Sequence, residues 1–144
     1  MTTYIYLDTE FNGFGGELIS LALVEPISGK TFYRVKQIPM APHPWVAEHV
    51  LPLITVQPVG DALFRGDLWA FMLQFPDAVI VADWPEDFAH FTAHMCAANG
   101  TAPRLTYSML LIDTGQLHSA KPHHALHDAI ALMQWCEQNK GTGR

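Results

Sequence analysis

Cysteine is scarce in this chain of 144 residues: there are two, Cys96 and Cys136. Both fall in segments that read as helices, so they are expected to be buried, reduced thiols rather than a disulfide framework. Positive charge is also scarce. Eight Lys and Arg face fourteen Asp and Glu, for a formal charge of -6, which excludes a basic protein that grips nucleic acid through a broad phosphate-binding patch. Long hydrophobic runs are missing, and none approaches the roughly 18 residues needed to span a membrane. The opening MTTYIYLDTEF has no basic stretch and meets an acid by residue 8, unlike a signal peptide. The expectation is a soluble cytoplasmic protein with no membrane partner. Internal repeats, low-complexity stretches and a linker-like shift in composition are lacking too, so residues 1–144 read as one domain. At 49% apolar and 15% charged, the chain can bury a core and is too apolar for disorder.

Three strands joined by short turns come first. Thr3–Glu10 alternates, with Tyr4, Tyr6, Asp8 and Glu10 on one face and Ile5, Leu7 and Thr9 on the other. Leu18–Val24 is almost continuously apolar, as in a strand covered on both faces. Thr31–Val35 follows, and the three suggest an antiparallel meander. The turn Asn12-Gly13-Phe14-Gly15-Gly16 is rich in residues that accept positive φ. After a proline-rich stretch, a short helix is expected over Pro44–Val50, with Pro44 in its first turn. Further expectations are helices over Gly66–Phe75 and Pro85–Asn99, the latter stopped by Gly100, and a strand over Ala78–Ala82. Arg104–Ile112 is ambiguous and reads better as strand. A last helix, marked by Leu126, Ala129, Ile130 and Met133, ends before Gly141. Strands followed by alternating helix and strand predict an α/β fold: a mixed sheet flanked by helices.

The acids of this chain fall in three places. Asp8 and Glu10 are two apart on a strand, so both carboxylates point to one side and repel unless a cation lies between them. A hard divalent cation suits that arrangement, although a solvated strand end would look the same. Asp83 directly follows the apolar strand AVIVA, where functional carboxylates of open α/β sheets often sit. It also reads as a helix N-cap with Glu86 three residues on, and Asp87 competes with it for the same role. His123 and Asp128 bracket the start of the last helix. Being five residues apart, they converge on one site only if His123 lies on the entering loop. His124 and His127 read as a solvated face, and no histidine pair has a trustworthy zinc spacing.

Asp8-Thr9-Glu10-Phe11, then Asp83, then His123-His124-Ala125-Leu126-His127-Asp128 form an ordered set. That order resembles the DEDDh 3′→5′ exonucleases of the ribonuclease H-like superfamily, closest to the small bacterial exoribonucleases of the ribonuclease AS type. The likeness extends to Glu17-Leu18-Ile19-Ser20, to Trp45-Val46 and to His49-Val50-Leu51-Pro52. It implies a ribonuclease H-like sheet and hydrolysis of single-stranded RNA from its 3′-hydroxyl end, releasing 5′-nucleoside monophosphates. It further implies two Mg²⁺ ions, with Mn²⁺ as a substitute, held by Asp8, Glu10, Asp83 and Asp128, with His123 as general base and a homodimer as the assembly. The same site would serve a DNA exonuclease, a nanoRNA-clearing enzyme or a catalytically silent binding domain.

Two divalent cations would take the formal charge of -6 to about -2, easing the approach of an anionic strand. With so few basic residues, affinity would come from the metals and from base stacking. Phe11, Phe14 and Trp84 adjoin the motifs and are candidate stacking surfaces, core packing being the alternative. The resemblance also implies a terminal 3′-hydroxyl near the metals, which could donate a hydrogen bond to Glu10.

Overall fold

The computed structural model describes residues 1–139. Its centre is a five-stranded mixed sheet in the order β3-β2-β1-β4-β5. Strands β1 (Tyr4–Phe11), β2 (Leu18–Val24) and β3 (Thr31–Val35) form the expected antiparallel meander. Strands β4 (Ala78–Ala82) and β5 (Tyr107–Leu111) add in parallel on the other side of β1. The helices are α1 (Pro44–His49), followed by a 3₁₀ turn at Leu51–Leu53, then α2 (Asp61–Met72), α3 (Pro85–His94) and α4 (Ala125–Gln138). Among the described residues, no helix is long and apolar enough to cross a membrane.

Every residue of β2 is buried, because the strand lies inside the sheet and both its faces are covered. Leu21 and Leu23 pack with Phe64 and Leu68 of α2, while Ala22 and Val24 pack with Ala125 and Ala129 of α4. Strand β1 divides in the same way. Ile5 and Leu7 enter the larger core, and Tyr6 meets Val81 and Leu132 on the α4 side. Strand alternation then carries Asp8 and Glu10 towards α4 and Thr9 towards α3. Because β1 and β4 are parallel neighbours, their carboxyl ends open on the same side of the sheet.

Several expected boundaries move: β1 and α1 differ by one residue at their ends, and β5 is shorter than the expected Arg104–Ile112. Helix α2 begins at Asp61, not Gly66, and ends at Met72, not Phe75. Gly66 lies inside it on the exposed side, at a cost of about 1 kcal/mol relative to Ala, which burial of Phe64 and Leu68 offsets. Helix α3 stops at His94 instead of reaching Asn99. Its end is held by a tertiary partner: Arg65 of α2 donates to the carbonyls of Ala93 and Cys96. This early stop also corrects the reading of the thiols. Cys96 lies beyond the helix and is exposed, while Cys136 on α4 is half-buried, and neither forms a disulfide. Helix α4 ends at Gln138, ahead of Gly141, which is outside the described residues.

Candidate metal centre

Two groups of carboxylates meet where the sheet opens, and Asp8 belongs to both. Oxygens of Asp8, Asp83 and Asp87 lie within 4.8 Å of one another, and so do oxygens of Asp8, Glu10 and Asp128. Asp8 and Glu10 arrive from β1, Asp83 from the residue after β4, Asp87 from the first turn of α3 and Asp128 from the first turn of α4. A register shift at Glu10/Phe11 ends the regular pairing of β1 with β2, a device that re-aims side chains beside a site.

The electrostatics describe a crowd of anions. Burial, followed by the charges of Asp87 and Glu10, pushes the Asp8 carboxyl well above the usual range. Glu10 is pushed up by burial and then by Asp128. Burial raises Asp87 to about 7, against the lowering effect of the Thr9 hydroxyl, which donates to Asp87 Oδ1 at 2.6 Å. Asp83 and Asp128 are raised by burial as well. Among the described residues, no Lys or Arg forms an ion pair with any of the five. Asp8 Oδ2 and Asp87 Oδ2 are enclosed without a hydrogen-bond partner. Buried carboxylate oxygens rarely go unpaired. A hard divalent cation satisfies such oxygens and relieves the repulsion together, so the all-oxygen donor set fits Mg²⁺ or Mn²⁺.

The helix-cap alternative for Asp83 does not hold. The N-cap of α3 is Trp84, with no side-chain cap, and the Asp83 carboxylate instead receives a long contact from the Thr114 hydroxyl, 3.5 Å. Glu86 accepts the N–H of Gly15 at 2.8 Å, tying the glycine turn to α3. Gly16 is sterically required there, since a Cβ would lie 1.9 Å from the Asn12 carbonyl oxygen.

His123 does sit on the loop entering α4, whose N-cap is His124. Its φ is 71°, and its N–H donates to Asp128 Oδ2 at 3.0 Å. Its ring packs edge-on against Trp45, 4.7 Å between centroids. His124 and His127 are not a solvated face. Both are half-buried and 4.8 Å apart, and His124 also packs 4.8 Å from Tyr33.

A cavity of about 570 Å³ opens over Asp8, Glu10 and Asp87 and is walled by Phe11, Phe14, Trp45 and Trp84. Phe14 is 84% exposed and Trp84 48%, so neither is a core residue; their rings lie 5.8 Å apart on the rim. Phe11 is half-buried against His90. Sequence reasoning undervalued Asp87, the most enclosed of the acids, and gave no role to His43 or Trp45. The available signal for Asp87 was its place four residues after Asp83, at the opening of a helix. The signal for Trp45 was its place in the Trp45-Val46 part of the likeness, but only the fold brings it to the cavity. Comparison with known proteins finds no matching family model and no matching curated protein.

Proposed function

We propose that this chain is a metal-dependent 3′→5′ exoribonuclease of the DEDDh type, built on a ribonuclease H-like sheet. The observation that carries the reading is Asp8 shared between two carboxylate triads, an arrangement suited to two cations bridged by one side chain. Glu10 and Asp128 would complete one site, and Asp83 and Asp87 the other. Bound there, paired Mg²⁺ or Mn²⁺ supplies Lewis acidity and charge neutralisation for phosphodiester hydrolysis. The rest falls to the chain's own residues. His123 takes the proton of the attacking water as general base. Its N–H bond to Asp128 fixes the loop that carries it. Phe14, Trp84 and Phe11 offer faces on which an unstacked terminal base can lie. Glu10 accepts from the 3′-hydroxyl. The cavity's size is that of a pocket enclosing a small ligand, which suits one splayed strand end.

The test is a gel of 5′-labelled single-stranded RNA with Mg²⁺ or EDTA. A stepwise ladder from the 3′ end is expected with Mg²⁺, and a terminal 3′-phosphate should slow it strongly by adding negative charge to an acidic pocket. Circular RNA, which has no end to insert, should survive. A circle cut as fast as the linear strand would mean an endonuclease and would overturn the assignment.

A further inference from the structure

Helix α1 carries an aromatic pair that core packing does not explain. Trp45 is 45% exposed, yet its ring stacks on His49 one turn later, with centroids 4.7 Å apart and planes at 21°. His49 Nδ1 lies 3.0 Å from the Trp45 carbonyl oxygen. The helix beneath them is anchored. Val46 and Val50 pack with Ile19 and Val35, Pro44 opens the first turn, and the His43 ring accepts the Trp45 N–H. On this platform rests the ring of His123, edge-on at 80° to both Trp45 and His49, with centroids at 4.7 and 6.0 Å. His123 holds a positive φ of 71°, and a strained residue of this kind persists only where its surroundings over-determine it. One constraint is the N–H bond to Asp128, which fixes the backbone. It leaves the imidazole free to turn about its own side-chain bonds, and the Trp45–His49 stack removes that freedom.

We infer that Trp45 and His49 are positioning residues that seat the His123 imidazole for proton transfer. The inference rests on the exonuclease reading above. Trp45 also walls the cavity, so its loss disturbs substrate binding and orientation together. His49 is not among the residues lining that cavity, so its loss should act on orientation alone.

The experiment measures kcat and KM on single-stranded RNA for the wild type, His49→Leu, Trp45→Leu and Trp45→Phe. Proton NMR of the His123 ring is recorded on the same metal-free proteins. In the wild type, the indole ring current should displace the His123 ring resonances from their unfolded-chain positions. Trp45→Leu should return them, and Trp45→Phe should keep part of the displacement. A misplaced catalytic group costs on the order of 10²-fold per ångström. His49→Leu should therefore lower kcat by about 10-fold or more while KM stays within about 3-fold. Trp45→Phe should recover most of the rate lost in Trp45→Leu. An unmoved His123 resonance in Trp45→Leu would overturn the seat itself, and so would unchanged kcat in His49→Leu with the resonance moved. A wild type without nuclease activity but with a displaced resonance would refute the exonuclease reading and leave the contact standing, so the two failures are distinguishable.

Discussion

Replacing Asp87 by Asn should make the metal-free protein more stable and the metal-loaded protein worse at its task. Asp87 is 2% exposed, and burial raises its carboxyl from 3.8 to about 7. At roughly 1.4 kcal/mol per pH unit, that rise is a penalty of at most about 4 kcal/mol once the group is ionised. The sign follows from the direction. The folded state holds the proton more tightly than the unfolded chain, so the group costs nothing below its unfolded value of 3.8, and stability is lost as pH rises through about 7. Asn keeps an oxygen to accept the Thr9 hydroxyl, so the structural loss is small. The repulsion is shared with Asp8 and Asp83, so a realised gain of about 1–3 kcal/mol at pH 8 is reasonable. For a domain of this size, that is roughly 3–10 °C in melting temperature. The assay is thermal unfolding in EDTA at pH 8 and pH 4, then at pH 8 with Mg²⁺. The Asn variant should melt higher in EDTA at pH 8, should lose most of that advantage at pH 4, and should fall behind the wild type when Mg²⁺ stabilises the intact site. A variant that melts at or below the wild type in EDTA at pH 8 would refute the reasoning.

Other outcomes follow from the same geometry. His123→Ala should lower the hydrolysis rate by roughly 10²–10⁴-fold with metal binding retained, whereas His124→Ala, whose ring lies against Tyr33, should cost far less; equal damage in single-turnover assays would show the wrong histidine had been chosen. Gly16→Ala must displace the Asn12 carbonyl and so the turn that Glu86 holds through Gly15; activity should drop, and unchanged activity and melting would refute the steric argument. Burial lowers His94 to about 4 from 6.5, and its Nε2 lies 2.8 Å from Lys36 Nζ. Its stabilisation is therefore present above about 6.5 and is lost as pH falls towards about 4. In unfolding titrations, His94→Gln should lack that loss, and an equal pH slope in both proteins would contradict it.

What could be read in the sequence was what depends on local pattern. The six apolar residues among the seven of β2 announce a doubly covered strand, and the alternation in β1 places Asp8 and Glu10 on one face before any fold is known. The five-residue spacing of His123 and Asp128 requires the loop placement that the structure shows. The features that escaped depend on distant partners. Gly66 looked like a boundary because the burial of α2 against β2 is a tertiary property. The end of α3 is set by Arg65, some thirty residues earlier in the chain. Asp87 looked secondary because its value comes from Thr9, on a strand 78 positions away in sequence.

Cation stoichiometry tests the shared Asp8 most directly. Calorimetric titration with Mn²⁺ should find two sites in the wild type, both lost or severely weakened in Asp8→Asn. One site should weaken in Asp128→Asn and the other in Asp87→Asn, with the fold intact in each by circular dichroism. Wild-type stoichiometry and affinity in the Asp8→Asn protein would contradict the account.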